Sequence, residues 1–332
     1  MRRLAVVTAL AAALASPATG AGVTATRLRV GYVTSAGALS DRAIGEHMYR
    51  GFVRAVRELG VDGRVLVVSP TRSADAALSA FGRARYDLII AGGFIRAGAV
   101  NAVALRFPRS RFFYVGGPAG TLDPRLRNVR GLTIHTEQAG YLAGYLAALT
   151  DTRRAGKDVV AAVGGVAQVP DVANYIGGYR RGARQADSGV AVLTGYSNDF
   201  VNPRKCRAVA LGQIAADAGV VFQVAGPCGL GALQAAKERH VWGVGVDVDQ
   251  SLLGPHILTS AVVRPAVAVY TAIRDLRKGT FKAGTDVVLT LGNGGVGLGT
   301  ISPKVPASFL WKLETVRRQI RAGSITIPRV PG

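Results

Sequence analysis

The sequence predicts an α/β protein with mostly parallel sheets that helices cover on both faces. Short β-rich runs alternate with helical stretches from residue 27 onward, and many of these runs are apolar throughout. Continuously apolar strands are typical of parallel sheets that are buried on both faces. The chain contains about ten strand–helix units, which is more than one open sheet holds, so we expect two lobes that divide near residue 133.

The first half of the chain contains four predicted strands and two predicted helices. A helix over residues 40–60 has Ser40 or Asp41 as its N-cap and Gly60 as its stop. A second helix covers residues 73–84. The predicted strands are LRVGYVT (28–34), VLVVS (65–69), YDLIIAGG (86–93) and SRFFYVGG (110–117).

The same alternation continues in the second half. After the strand NVRGLTI, the helix EQAGYLAGYLAALT has Tyr141, Tyr145 and Ala148 at helical spacing. The next strand–helix pairs are DVVAAVGGV with NYIGGYRRGARQA, AVLTGYS with KCRAVALGQIAADAG, and GVVFQVAG with LGALQAAKERH, followed by the strand WGVGVDVD. Segments 257–279 and 285–299 break this rhythm, and PASFLWKLETVRRQIRAG predicts one more helix.

Residues 1–21 have the layout of a secretory signal peptide. Arg2 and Arg3 precede an apolar stretch from Leu4 to Ala15, and small residues follow at Ala18 and Ala21. The apolar stretch is too short to cross a bilayer. No cysteine lies near the expected cut, so we expect an exported protein, periplasmic or extracellular, without a lipid-anchored cysteine.

Cys206 and Cys228 are the two cysteines of the chain. An even count outside the cytosol favours a disulfide, and two buried free thiols are the alternative. Cys206 should open a helix and Cys228 should lie in the turn after the next strand. Both would then lie at the carboxyl edge of one sheet, where a bridge could brace the turn beside Phe222.

The net charge of +21 would attract nucleic acid or an anionic cell surface. However, the lysines and arginines are spread singly and do not alternate with aromatic residues in a basic stripe. We therefore expect no nucleic-acid partner, and interpret the charge as surface solvation with weak adhesion to an acidic envelope.

The sequence contains no assembled catalytic set, so we expect neither an enzyme nor a bound cofactor or metal. Gly292, Gly294 and Gly297 match the spacing G-x-G-x-x-G, but LGTISPKVP after them is not helical, so a glycine-rich turn is the better interpretation. Four histidines show no zinc or triad spacing. No G-x-S-x-G elbow or phosphate-binding lysine loop is present.

Two strand ends carry groups that could bind a ligand. The glycine-rich turn from Gly226 to Gly231 follows one apolar strand, and Asp247 and Asp249 follow the next. In an open α/β sheet, ligands bind outside the carboxyl ends of the strands. The two acids could be a catalytic pair, a metal site, or a ligand acceptor beside a turn-capping Asp249; we favour Asp247 as an acceptor of ligand hydroxyls.

The chain resembles the basic membrane protein (BMP) family of solute-binding proteins, which serve ABC importers and include purine-nucleoside receptors. The segments that carry the resemblance include SDRAIGEHMYRGF, NVRGLTIHTEQAGYLAGYLAA, GVVFQVAGPCGLGALQAAKE and WGVGVDVDQS, in family order from about residue 28 to 328. It implies the periplasmic-binding protein type I fold, with two Rossmann-like lobes joined by a hinge. We expect residues 27–132 plus about 255–285 in the N-terminal lobe, and 133–254 plus about 286–332 in the C-terminal lobe.

The resemblance also implies a ligand pocket of which part is replaced here. Nucleoside-binding members have an Asp where this chain has Ser35, and a D-x-S-F-N motif where it has residues 41–45, so that Ile44 replaces the stacking Phe and Gly45 the Asn. Gly116 and Val263 replace a further Asp and a Lys. The ligand-binding residues we expect are Ser35, Asp41, Ile44, Phe222, Gly226, Gly229 and Asp247.

These observations predict the secreted substrate-binding component of an ABC importer. It would bind a small polar ligand, with a purine nucleoside as one candidate, and act as a monomer that delivers the ligand to a membrane permease. The alternative is a ligand-sensing envelope protein without a transport role. A nucleoside hydrolase that uses Asp247 and Asp249 is disfavoured.

Overall fold

The computed structural model describes residues 27–329, apart from residues 36, 40–43, 70–72, 94, 154 and 157. The described residues form twelve strands, namely β1 (Arg29–Ser35), β2 (Asp62–Val68), β3 (Leu88–Ala91), β4 (Arg111–Tyr114), β5 (Val129–Ile134), β6 (Val159–Gly164), β7 (Ala191–Tyr196), β8 (Val220–Val224), β9 (Trp242–Asp247), β10 (Ile257–Val263), β11 (Asp286–Leu289) and β12 (Val296–Leu298). They also form nine α-helices, namely α1 (Ile44–Leu59), α2 (Ala74–Arg83), α3 (Ala97–Arg106), α4 (Thr136–Asp151), α5 (Pro170–Ala186), α6 (Pro203–Ala215), α7 (Gly229–Glu238), α8 (Pro265–Arg277) and α9 (Ala307–Arg321).

The strands form two six-stranded sheets, one in each lobe. The order is β11-β5-β4-β3-β1-β2 in the first sheet and β12-β10-β9-β8-β6-β7 in the second. All strand pairs of the first sheet are parallel, and in the second sheet only β12 pairs antiparallel, with β10. The predicted α/β class with two parallel sheets is confirmed. The strand order reverses at β1 in the first sheet, which lies between β2 and β3, and at β6 in the second sheet, which lies between β7 and β8. Open sheets of this type bind ligands at such a switch point.

The chain crosses between the lobes three times. It leaves the first sheet after β5, returns from β10 to α8, and leaves again between β11 and β12. The third crossover contains Gly292 and Gly294, and it is a turn followed by a strand, as the absence of a helical pattern predicted.

Two boundary predictions are wrong. Strand β10, expected in the N-terminal lobe, pairs in parallel with β9 of the second sheet. Strand β11, expected in the C-terminal lobe, pairs in parallel with β5 of the first sheet. The order of elements alone cannot show this, because a strand belongs to the sheet whose open edge its backbone groups can reach.

Helices α4 and α5 approach each other closely through glycines on both helices. A Cβ atom added at Gly144 would lie 1.9 Å from the carbonyl oxygen of Tyr179, and one at Gly182 would lie 1.9 Å from that of Tyr141. The two backbones therefore touch directly. This contact holds the start of α5, which borders the space between the lobes.

Candidate ligand-binding site between the lobes

A cavity of about 480 Å³ lies between the lobes and is lined by both. Gly116 and Thr133 line it from the carboxyl ends of β4 and β5, Asp171 and Asn174 from the first turns of α5, and Arg329 from the segment after α9. Small-molecule sites occupy roughly 300–1,000 Å³ and lie at such junctions. The volume is therefore sufficient for a small ligand.

Asp247 lies in a strained backbone turn at the carboxyl edge of the second sheet. It is the last residue of β9 and has a φ angle of +65°, while the N–H of Val248 donates to the carbonyl of Val246 at 2.7 Å across it. A residue with a side chain rarely adopts this conformation, which costs on the order of 1–3 kcal/mol and clusters at functional sites. The turn directs the carboxyl group out of the end of the strand.

The carboxyl group of Asp247 has one side-chain donor, and no cation pairs with it among the described residues. The Tyr175 hydroxyl donates to Oδ1 at 3.2 Å. Burial raises the pKa of Asp247 to about 6, the Tyr175 hydrogen bond opposes this rise, and the charge of Asp171 adds to it. The remaining lone pairs can therefore accept hydrogen bonds from a ligand.

The prediction that Phe222 offers a ring face to a ligand is wrong, because the side chain is fully buried. Phe222 is 0% exposed at the centre of β8. Its ring stacks on Tyr179 at 5.0 Å between centroids and meets Tyr175 edge-on at 6.1 Å. Phe222 therefore packs in the core and supports Tyr175, which in turn holds Asp247.

Phe200, which the sequence analysis did not select, is the aromatic residue at the switch point of the second sheet. Its ring lies over Gly165, next to the end of β6, where an added Cβ would be 2.3 Å from the ring. The ring is half-buried, so part of it stays exposed at this edge of the second sheet. An aromatic residue in the loop after a strand was the available signal, since loops at the carboxyl edge carry ligand groups.

The predicted glycine-rich turn has the conformation that requires glycine. Gly226 has a φ angle of +54° and opens a short 3-10 turn that runs into α7. At Gly229 an added Cβ would lie 1.8 Å from Oε1 of Gln223, so the Gln223 side chain would have to move to accommodate it. The turn and Asp247 lie at the same edge of the second sheet.

The structure describes two of the three ligand-binding residues that were predicted in the N-terminal lobe. Ser35 ends β1 and Ile44 begins α1, and both are half-buried. Asp41 lies outside the described residues. Gly116 does line the interlobe cavity, beneath the ring of Tyr114.

The residues at the end of β10 are structural. Val263 is 3% exposed, and the Arg264 guanidinium donates to the carbonyls of Leu298 at 3.2 Å and Gly294 at 3.4 Å. Arg264 thus links the second crossover to the third.

Asp249 forms no functional pair with Asp247. Its carboxylate accepts from the Ser251 N–H at 3.1 Å and from the Thr300 N–H and hydroxyl at 3.0 and 2.6 Å. Burial alone would raise the pKa of Asp249, but these hydrogen bonds outweigh it and hold the pKa below its usual range. Asp249 therefore fixes the turn, in agreement with the turn-capping interpretation.

The predicted disulfide is present. Cys206 and Cys228 are bonded, with their Cα atoms 5.6 Å apart, and the bridge joins α6 to the turn before α7. It braces the loop of Phe200 as well, because the Cys228 N–H donates to the Phe200 carbonyl at 3.0 Å.

A charged cluster that the sequence analysis missed lies at the first crossover. Glu137 is 1% exposed, contacts the His135 ring nitrogen at 2.7 Å and forms an ion pair with Arg329 at 3.2 Å. The Arg329 guanidinium also donates to the Ile134 carbonyl at 3.1 Å. Arg329 is thereby held at the cavity wall, where its charge opposes the rise that burial causes in the pKa of Asp171.

Two other kinds of site are not found in the described part of the chain. No three His, Cys, Asp or Glu side chains there are placed to hold a metal ion. None of the helices described is long and apolar enough to cross a membrane.

Several known proteins are similar to this chain over most of its length. The CD4+ T-cell-stimulating antigen of Listeria monocytogenes is 27% identical over 91% of this chain and 88% of that protein. The ABC transporter nucleoside-binding protein BmpA of Lactococcus lactis is 27% identical over 98% of this chain and 96% of that protein. An ABC transporter solute-binding protein of Conexibacter woesei has a solved structure with a TM-score of 0.70 and 25% identity, which covers 91% of this chain and 99% of that one.

The family model described as ABC transporter substrate-binding protein PnrA-like matches residues 29–329. This range includes both sheets, all three crossovers and the strand ends that border the cavity. The chain therefore belongs to the Bmp family of PnrA-like ABC transporter substrate-binding proteins.

Proposed function

We propose that this protein binds a small, uncharged, hydroxyl-bearing ligand between its lobes outside the cytoplasm and delivers it to an ABC permease. The observation that carries the proposal is the Asp247 carboxyl group, which a strained turn holds at the carboxyl edge of the second sheet with acceptor positions left open. Its hydrogen-bond donor Tyr175 directly follows Asn174, which lines the interlobe cavity of about 480 Å³. Charged hydrogen bonds to such a group contribute about 1.5–3 kcal/mol each. No catalytic step is needed for this role.

A purine nucleoside is the first ligand to test. A relative with 27% identity is named as nucleoside-binding. The half-buried ring of Phe200 could cover one face of a base, and such stacking contributes about 1–3 kcal/mol per base. On the opposite lobe Ile44 offers an apolar surface without a ring, so we expect weaker selection among bases than two aromatic faces would allow.

The ligand can be identified by purifying the protein under native conditions and analysing co-purified small molecules by mass spectrometry. Each candidate, together with a panel of nucleosides, is then added in thermal unfolding measurements. A ligand at 100 times its Kd should add about 2.7 kcal/mol to the free energy of unfolding. If no nucleoside shifts the unfolding transition, the nucleoside assignment is wrong.

Two variants separate the ligand acceptor from the turn-forming acid. Asp247→Asn should abolish ligand stabilisation, because an amide cannot accept at both positions. Asp249→Asn should retain it, because Asp249 contacts Ser251 and Thr300 instead of the cavity. Equal ligand binding by Asp247→Asn would contradict the site.

Transport is tested in cells that lack the gene and are complemented with either protein. Uptake of the identified ligand should return with the native protein and not with Asp247→Asn. Unchanged uptake in the deletion strain would contradict the importer role and favour ligand sensing without transport.

A further inference from the structure

A groove of about 440 Å³ lies at the opposite end of the N-terminal lobe from the ligand cavity. It is bordered by residues 82–87, which connect α2 to β3, and residues 106–110, which connect α3 to β4. These loops meet the amino ends of β3 and β4, whereas the interlobe cavity is bordered by the carboxyl ends. We call this depression the arginine groove, after Arg83, Arg85, Arg106 and Arg109 in its lining. A ligand bound there would leave the cavity between the lobes open.

The arginine groove carries more positive charge than the nearby carboxylates of the described chain neutralise. Four arginines line it, and one of them, Arg106, pairs with Asp75 at 2.7 Å. Arg83, Arg85 and Arg109 are exposed and have no ion pair or side-chain hydrogen bond with any described residue. The one carboxylate that lines the groove, Asp87, accepts the backbone N–H of Arg29 at 2.7 Å, and its single negative charge is outnumbered by the arginines.

Helix electrostatics accounts for only part of this cluster. Arg83 and Arg106 lie in the last turns of α2 and α3, where a cation stabilises the helix dipole. Arg85 directly follows the C-cap of α2 and still lies near this dipole, whereas Arg109 lies in a loop and gains nothing from it. Arg85 adopts a φ angle of +55° in the turn that ends α2, which is closed by the hydrogen bond from the Tyr86 N–H to the Phe81 carbonyl at 3.1 Å.

One wall of the groove is held from below by Asn128. Its side-chain amide is buried and donates to the carbonyls of Ala104, Phe107 and Ser110 at 3.1, 3.1 and 2.9 Å. The loop that carries Arg109 is therefore fixed before any ligand binds.

The other wall is held by Arg29. Its guanidinium donates to the Ala84 carbonyl at 2.7 Å and lies 4.3 Å from the centre of the Tyr86 ring. At Gly82 an added Cβ would lie 2.5 Å from the Phe107 ring, so the two walls touch at the floor of the groove. Groups that are fixed in advance lose little entropy on binding, which favours recognition of a discrete ligand.

We propose that the arginine groove binds phosphate groups of an anionic polymer of the cell envelope. Guanidinium groups match phosphate oxygens in two-pronged hydrogen bonds, and three unpaired ones surround this depression. A bilayer surface fits less well, because Tyr86 is 7% exposed and the Phe107 ring is half-buried. Neither aromatic side chain is available to insert among lipids. Binding here retains the protein at the envelope while its ligand cavity stays accessible.

The test compares two triple variants that each remove three positive charges, one from the arginine groove and the other from the exposed surface of α5. The groove variant is Arg83→Gln, Arg85→Asn and Arg109→Gln, in which Asn suits the positive φ angle of residue 85. The control variant is Arg180→Gln, Arg181→Gln and Arg184→Gln, which removes three exposed arginines of α5 that do not line the groove. The probe is long-chain polyphosphate, and affinity is measured at several salt concentrations.

We expect the groove variant to bind polyphosphate about 100-fold more weakly, at about fivefold per arginine, and the control to change by less than about threefold. The single variant Arg109→Gln, in an exposed loop, should lose about fivefold and serves if the triple variant unfolds. Equal losses in both triple variants would show that net charge alone drives binding and would overturn the proposal.

Two further probes separate the sources of phosphate. Phosphatidylglycerol vesicles should bind the groove variant and the native protein alike. Groove-dependent binding to the vesicles without binding to polyphosphate would replace the polymer by a lipid surface. Inorganic phosphate that binds as tightly as the polymer, or no binding of polyphosphate at all, would also overturn the proposal.

Discussion

Asp247 combines three features that each lower the stability of the protein: a strained φ angle, a buried carboxyl group and a nearby like charge from Asp171. The surrounding structure holds it in place through the Tyr175 hydroxyl, and Tyr175 packs on the buried ring of Phe222. Features that lower the stability of the folded protein, with no packing gain to offset them, are typical of a side chain that is kept for binding.

Asp247→Asn should therefore stabilise the ligand-free protein at neutral pH. The pKa of Asp247 is about 6 in the folded protein, above its ordinary value. Between about pH 4 and pH 6 the unfolded chain loses the proton while the folded protein keeps it, so the free energy of unfolding falls as pH rises. The variant should lack this fall and be more stable at pH 7 by on the order of 2 kcal/mol, measured by urea unfolding at each pH.

Asp249→Asn is the matched control because its pKa lies below the usual range. Its hydrogen bonds stabilise the ionised form, so this variant should lose stability at pH 7 and the difference should shrink as pH falls. An Asp247→Asn protein that unfolds as easily as the native protein, with the same pH dependence, would contradict the assignment.

Among the helices, the contact between α4 and α5 depends on glycine at positions where the two backbones touch. Gly144→Ala should cost about 2–3 kcal/mol, because its Cβ would lie 1.9 Å from the Tyr179 carbonyl oxygen and the helices would have to separate. Chemical denaturation of the purified variant measures the loss.

Gly177→Ala on α5 is the control for this effect. No heavy atom lies within 4 Å of an added Cβ there, so the helix propensity of Ala should add up to about 1 kcal/mol. Equal effects of the two substitutions would show that the helices adjust to an added methyl group.

The disulfide between Cys206 and Cys228 closes a loop with a sequence separation of 22 residues. Restricting the unfolded chain in this way contributes about 3 kcal/mol. Reductant should therefore lower the free energy of unfolding by about that amount in the native protein. The double variant Cys206→Ser and Cys228→Ser should be equally destabilised and insensitive to reductant; a response of this variant to reductant would point to another cause.

For the protein as a whole, the dominant electrostatic feature is an excess of positive charge, with 41 Lys and Arg against 20 Asp and Glu in the full sequence. Repulsion among like charges opposes a compact state. Most ion pairs of the described chain are exposed, such as Arg54 with Glu58, and contribute little.

Added salt should therefore stabilise this protein. Raising the ionic strength from about 0.01 to 0.1 M shortens the screening length from about 30 to 10 Å. We expect the free energy of unfolding to rise by on the order of 1 kcal/mol, with an increase of roughly 2–4 °C in Tm, measured by calorimetry. Sucrose at matched osmolality is the control, and a fall in Tm with salt would show that ion pairs outweigh repulsion.

Much of this architecture can be predicted from the amino-acid pattern. Continuously apolar runs indicated parallel strands, and glycines marked the turns. Cys206 and Cys228 follow two successive strands, so both were expected at the carboxyl edge of the same sheet. The position of Asp247 was also predictable, because the end of a buried strand has a defined place in any open α/β sheet. These properties are local, since each depends on a residue and its near neighbours along the chain.

The three-dimensional packing decided what local pattern leaves open. Phe222 and Phe200 are both aromatic residues of the second lobe, yet the first packs in the core against Tyr179 and the second lies half-buried over Gly165 at the end of β6. Strand β10 belongs to the second sheet and β11 to the first, the reverse of what their order along the chain predicted. Arg329 pairs with Glu137, which lies nearly two hundred residues earlier in the chain. Such contacts depend on which surfaces meet after the chain has crossed between lobes three times. Sequence periodicity records which side of an element is buried, but it does not record which partner buries it.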